Sequence, residues 1–249
     1  MRRIIIACTA LAVLAGASVA LAATLNTYTA KLTFKPSKAG TKKKPVKIAL
    51  TETLTAANDV SGDRAAPLTD IKTTIYGIKS NANKLPTCDG NQISAQKTDS
   101  ICPKKALVAT GQVNSMLGGT DLSQSGAPCN PGLHVWNGGK GKLWFFFTAT
   151  GTQCGSLHTG DTNAYPGQIT QKGKNQVTDV PLPPFVSTAV AGHEGLYGSL
   201  IKQVLTYKKG VNSSFACKNG KRPYSVQFTA TSTQGSETKT VKGSAKCSK

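Results

Sequence analysis

Tyr28, Ala30, Leu32 and Phe34 alternate with Thr27, Thr29, Lys31 and Thr33, a period of two that predicts a strand with one buried face. Val46, Ile48, Leu50 and Leu54 alternate with Lys47, Thr51, Thr53 and Thr55 in a second strand. Glu52 falls on the apolar side of that strand, where it needs either a partner or a place near an edge. Residues 35–45, between the two, read as a polar connection without core positions, and residues 58–67 as a loop rich in Asn, Asp, Gly and Ala. Strand character resumes over residues 69–79 with Ile71, Ile75 and Ile78, and a weaker strand covers 106–113. Residues 85–103 form an excursion bounded by Cys88 and Cys102, in which 89–96 have room for one or two helical turns.

Residues 118–131 are loop-like. Residues 133–137 and 142–148 face each other across Gly138-Gly139-Lys140-Gly141, the strongest hairpin in the chain, with glycine supplying positive φ at the turn. The run from Leu143 to Phe147 does not alternate, so it is expected to be buried on both faces or packed under a loop. Short strands are expected near Ile169 and Val177, and Pro181, Pro183 and Pro184 forbid their continuation. Residues 195–207 are ambiguous. Leu196, Leu200 and Val204 keep a helical step, but Gly198, the Thr and Val content and the β surroundings favour a long buried strand. A last hairpin joins 224–231 to 237–245 around Gln234-Gly235-Ser236. The pattern predicts an all-β fold, an antiparallel β-sandwich with long disulfide-stapled loops, running from residue 23 to 249 as one domain. The alternative is two small sandwiches divided near 118–131.

The first residues have another purpose. Met1-Arg2-Arg3 is a short positive start, residues 4–21 carry no charge, and Ala20-Leu21-Ala22 has the small-x-small form of a cleavage site, so residues 1–22 are expected to be a removed signal peptide. A run of this length also suits a bilayer span, but the alanine content and the cleavage pattern favour removal. Ile5-Ile6-Ala7-Cys8 stands too early for a lipoprotein box. No second long apolar run follows, so no transmembrane segment is expected in the mature chain. Losing Cys8 leaves Cys88, Cys102, Cys129, Cys154, Cys217 and Cys247, an even set that reads as disulfides in an exported protein. Pairing in sequence order, 88 with 102, 129 with 154 and 217 with 247, is expected because each pair flanks a turn or hairpin. Zinc would need closely spaced ligands, and no C-x-x-C is present.

The chain of 249 residues carries a formal charge of +19, nearly all of it lysine. Losing Arg2 and Arg3 leaves +17. Arg64 and Arg222 are the remaining arginines, so the bidentate phosphate and base recognition that arginine provides is scarce. Lysine instead gives salt-sensitive attraction to polyanions in general, or simply keeps a β-protein soluble and its edges unpaired.

Phe34-Lys-Pro-Ser-Lys-Ala-Gly-Thr-Lys-Lys-Lys-Pro45, Leu85-Pro-Thr-Cys88, Cys102-Pro103 and the stretch from Cys217 to Thr231 with Cys247, taken in this order, resemble a group of secreted, Lys- and Thr-rich bacterial β-proteins to which no activity is assigned. The resemblance implies export and a β fold and brings no catalytic residue, binding residue or cofactor with it.

Chemistry-bearing residues are few. Mature histidines are His134, His158 and His193, and the close His/acid pairs are His158 with Asp161 and His193 with Glu194. Either pair suits general acid–base work only if a nucleophile or water lies within hydrogen-bond reach. His134, beside Trp136, reads as a packed or cross-strand residue. H-E-x-x-H and G-x-S-x-G are absent, and S-x-x-K occurs three times without its companion motifs. Residues 58–63 offer oxygen ligands but break the EF-hand spacing, and no metal or other cofactor is expected. Trp136, Trp144 and Phe145 to Phe147 are expected in the core rather than as a sugar platform. These observations favour a secreted, non-enzymatic protein that binds or builds at the cell envelope, with anionic cell-wall polymer as the partner class and no specific nucleic acid. A secreted hydrolase using one His/acid pair and a non-specific nucleic-acid binder are the alternatives; the latter needs lysines gathered on one face with aromatics among them.

Overall fold

The alternating Thr/Val/Ile segments become strands. A computed structural model describes residues 25–149, 153–155 and 157–248; the expected signal peptide and Cys8 lie outside them. In chain order the strands are β1 (Asn26–Lys35), β2 (Val46–Asn58), β3 (Leu68–Tyr76), β4 (Ile78–Ser80), β5 (Leu107–Gly118), β6 (Ala127–Cys129) and β7 (Gly132–Gly139). They continue with β8 (Lys142–Thr148), β9 (Tyr165–Lys172), β10 (Asn175–Pro181), β11 (Tyr197–Ser214), β12 (Lys221–Ser232) and β13 (Gly235–Lys246). One helix, α1 (Gly90–Gln96), lies in the excursion, with Asp89 as its N-cap accepting the Asn91 N–H at 2.9 Å.

All named strands belong to a single antiparallel sheet in the order β1-β2-β11-β5-β7-β8-β9-β10-β3-β12-β13, with β4 on β11 and β6 on β5. The all-β antiparallel class holds, and its two facing layers are halves of one sheet curled almost closed. The outer strands β1 and β13 are joined by side chains instead of a ladder. The Glu237 carboxylate accepts from the backbone N–H groups of Leu25 and Asn26 at 2.9 and 2.8 Å and from the Tyr28 hydroxyl at 2.9 Å, and Lys239 Nζ donates to the Asn26 carbonyl at 2.9 Å. At the far end of the same seam the Ala39 N–H donates to the Ser248 carbonyl at 2.7 Å. Ala39 is therefore buried, which corrects the expectation that residues 35–45 contribute nothing to the core.

The helical step over 195–207 is overruled by the neighbours. β11 pairs β2 on one side and β5 on the other, and those two ladders fix it as an extended strand. Leu54, Leu205, Val226 and Phe228 face the common interior, each buried aliphatic contributing roughly 2 kcal/mol. The non-alternating run of β8 is explained by two cores. Leu143 and Phe145 point into the interior, whereas Trp144 and Phe146 point outward and are covered, with Trp136, by Ile93, Ala106 and the Cys88–Cys102 disulfide of the excursion. Two further disulfides, Cys129–Cys154 and Cys217–Cys247, clamp the β7–β8 hairpin and the β12–β13 hairpin. Loops of 14 to 30 residues closed in this way stabilise by about 3–4 kcal/mol each.

The registers give the barrel two unlike ends. One carries the β1–β2, β7–β8, β9–β10 and β11–β12 turns, and the other the β2–β3, β5–β7, β8–β9, β10–β11 and β12–β13 connections.

Candidate functional site

The second of these ends opens into a cavity. Its outer chamber, of about 100 Å³, is walled by apolar side chains from many strands, among them Leu68, Val113, Phe147, Leu182 and Leu200, with the Cys129–Cys154 disulfide on its rim. The connection from β10 to β11 forms its cap. Pro183 and Pro184 end the strand and start a 3-10 turn (Pro184–Val186), and Val186 and Val190 reach the cavity. The cap meets β11 at Gly198, whose N–H donates to the Ser187 carbonyl at 2.7 Å. A Cβ at Gly198 would stand 3.0 Å from the Val186 carbonyl oxygen, a contact tight enough that the cap would have to shift by a few tenths of an ångström.

Below the outer chamber, and sharing Ile71, Tyr165, Leu182 and Gln203 with it, lies an inner chamber of about 30 Å³. Glu52 sits here, 7% exposed. It accepts one long hydrogen bond, 3.3 Å, from Thr73 on the opposite wall. Burial raises its carboxyl to about 7, with the Thr73 hydrogen bond working weakly the other way. Burial also raises the Tyr165 and Tyr207 hydroxyls, and the nearby Glu52 charge adds to the shift at Tyr207. Thr178, Tyr165 and Tyr207 are buried, and Gln203 half-buried, around the same space, and their side-chain polar groups have no hydrogen-bond partner among the described residues. Sequence reasoning singled out Glu52 as misplaced on an apolar face but had no signal for the cavity, because its walls come from β2, β3, β8, β9, β10 and β11.

The two His/acid pairs named from sequence lie on loops of the cavity end. His158 Nδ1 is 3.9 Å from Asp161 Oδ2, both groups well exposed, and that carboxylate is already accepting the His158 backbone N–H at 2.6 Å. Asp161 and His193 share the edge of an open cleft of about 520 Å³ with Lys97 and Thr159. The Thr159 hydroxyl there is committed to the backbone of Ala149, donating to its carbonyl at 2.8 Å and accepting from its N–H at 2.7 Å. The cleft thus joins Asp161 of one segment to His193 of the other, and among the described residues lining it the one hydroxyl, that of Thr159, is engaged by the backbone. The tightest His/acid contact is one the spacing concealed, His134 Nδ1 to Asp99 Oδ2 at 2.6 Å, with Trp136 Nε1 donating to the same oxygen at 3.1 Å. Burial would raise the Asp99 carboxyl, but the hydrogen bonds and charge from His134 and the Trp136 bond outweigh it and hold it low. This cluster braces the excursion against β7. Among the described residues no group of three or more His, Cys, Asp or Glu is placed to hold a metal ion.

At the opposite end charge is sorted rather than scattered. Lys38, Lys42, Lys43, Lys44 and Lys47 border the β1–β2 turn, and Lys208 and Lys209 lie beside them on β11, where Gly210 approaches the Lys47 stem. Lys218, Lys221 and Lys246 follow around the β11–β12 connection, and Lys140, Lys172 and Lys174 on the neighbouring turns. Asp59, Asp63, Asp121, Asp161, Glu194 and Glu237 sit at the cavity end. The lysine ion pairs among the described residues, Lys72 with Asp179 at 2.9 Å and Lys239 with Glu237 at 3.4 Å, are both away from the lysine end. No Phe, Tyr or Trp side chain among the described residues is exposed.

No family model and no curated protein matches the chain. Among solved structures it is similar to the N-terminal domain of the Streptococcus gordonii adhesin Sgo0707, with 10% identity over 88% of this chain and 32% of that one, at a TM-score of 0.29. The chain spans about a third of the length of that structure, and a likeness this slight bears on neither ligand nor activity.

Proposed function

We propose that the chain is an exported, non-enzymatic binding protein that attaches to anionic polymer at the cell envelope through its lysine end. The observation that carries this reading is the axial sorting of charge: a surplus of lysines around one set of turns, with most of the acids at the other end. Lysines without nearby carboxylates attract a polyanion by releasing its condensed counterions, which needs no shaped pocket and no fixed geometry. The absence of exposed Phe, Tyr and Trp among the described residues favours a phosphate- or carboxylate-bearing polymer over single-stranded nucleic acid, whose bases need stacking platforms. The disulfides fit an oxidising compartment, and the committed Thr159 hydroxyl supports a non-enzymatic reading of the histidine cleft.

The test is co-sedimentation of the folded chain with purified cell wall across a salt series. Binding at about 50 mM salt should fall steeply by about 200 mM, and Lys42→Gln/Lys43→Gln/Lys44→Gln should flatten the slope of log K against log salt by roughly 0.7–0.9 for each anionic group the variant no longer neutralises. Absence of binding at every salt concentration, or binding insensitive to salt, would defeat the proposal.

A further inference from the structure

The cavity at the other end is independent of the lysines and carries an inference of its own. It is built in two parts of opposite character. The outer chamber is mainly apolar, with His158 and Asp161 among its lining residues, open at the mouth, and framed by a disulfide and a proline-initiated cap. At about 100 Å³ it is of the same order as the engineered protein cavity of roughly 150 Å³ that takes up benzene. The inner chamber, in contrast, gathers Glu52, Thr178, Gln203 and Tyr207 around a small space, with only the long Thr73 contact to satisfy any of them. Buried polar groups are ordinarily paired, and an unpaired set lining a space connected to solvent marks a place where something else supplies the partner.

We propose that the cavity binds a small uncharged amphiphile: a single ring or short alkyl chain in the outer chamber, ending in a hydroxyl or amide that lies among Glu52, Gln203, Thr178 and Tyr207. The choice of an uncharged tip follows from the lining. No basic side chain lines the inner chamber, so a carboxylate or phosphate would meet Glu52 without a counter-charge. An ammonium would have to shed its hydration, a heavy penalty in a space that offers a single carboxyl group. A hydroxyl or amide both donates and accepts, which matches a set of side chains that do the same. Because the mouth is opposite the lysine end, the site stays accessible when that end is engaged.

The experiment titrates the folded, disulfide-intact chain with 1-octanol, octylamine and octanoate, reading heat by calorimetry and methyl shifts by NMR. Expected is saturable one-site binding of 1-octanol that shifts the methyls of Leu182, Val190 and Leu200, with octylamine and octanoate at least about tenfold weaker. Glu52→Leu should weaken 1-octanol about tenfold by leaving its hydroxyl unpaired, whereas Glu52→Gln, which keeps both hydrogen-bonding senses, should stay within about threefold. Val186→Trp, at the half-buried rim, should close the mouth and abolish binding. Absence of saturable 1-octanol binding, tighter binding of octylamine or octanoate, or undiminished binding by a Val186→Trp protein that melts like the wild type would overturn the proposal. If that variant fails to fold, methyl shifts outside the cavity in the unmodified chain do the same.

Discussion

Replacing Glu52 by glutamine should remove a pH dependence of stability that the wild-type chain carries. Burial raises the carboxyl from 4.5 to about 7. The unfolded chain gives up this proton near pH 4.5, while the folded chain keeps it until about pH 7. Between those values the folded state binds more protons, so stability falls as pH rises through the window and levels off above it. The difference of about 2.5 in pH corresponds to roughly 3 kcal/mol. Glutamine imitates the protonated acid and has no proton to lose. The two proteins should therefore be nearly equal at about pH 4 and separate progressively until Glu52→Gln is about 3 kcal/mol more stable at about pH 8. For a domain of this size that gap is about 6–12 °C in melting temperature. Asp70, which burial and the neighbouring Asp179 raise to about 6, contributes the same slope to both proteins and cancels in the comparison. The assay is reversible urea unfolding at intervals from about pH 4 to 8 with the disulfides intact. A constant gap at all pH values, or a variant less stable than wild type at the alkaline end, would refute the assignment of Glu52 as a buried acid without a counter-charge.

Two further outcomes follow from particular contacts. Asp99→Asn weakens the bonds from His134 and Trp136 that hold the excursion on β7, and should cost about 1–3 kcal/mol at neutral pH in urea unfolding. Because the Asp99 carboxyl is held low, that stabilisation is complete above the ordinary carboxylate range and lost as pH falls through the folded value, so wild type and variant should converge in acid; a gap that persists there would count against it. Cys129→Ser/Cys154→Ser should lower stability by about 3 kcal/mol while the ring of strands remains, since the enclosed β7 and β8 keep their ladders to β5 and β9; an unchanged urea midpoint would show that the bond does not constrain the chain.

The alternating segments were sufficient for the strands, because a period of two buries one face whatever the partner. The buried face of each strand followed with it, since a slip by one residue would turn Leu32, Leu50 and Leu54 outward, whereas the choice among registers two residues apart belongs to the tertiary structure. The run from Leu143 to Phe147 was legible as doubly buried from its lack of alternation, although which core covers Trp144 and which covers Phe145 depends on an excursion some fifty residues upstream. Residues 195–207 show the limit of local pattern. Their four-residue step fits a helix equally well, and only hydrogen-bonded neighbours on both sides make them a strand.

What remained for tertiary structure shares one cause. The closure of β1 on β13 depends on Glu237 and Lys239 meeting residues more than two hundred positions away. His134 finds Asp99 across 35 residues, a pairing that spacing along the chain does not reveal. Glu52 could be seen as an oddity on its strand, but its partners come from the far wall of the barrel, and a cavity exists only once that wall is in place. The lysine excess was plain from composition; its gathering at one end was not, because it arises from turns that alternate in direction along the chain and coincide only when the sheet curls. Local periodicity encodes which face of a strand is buried, whereas a site is made of residues whose proximity is a property of strand order.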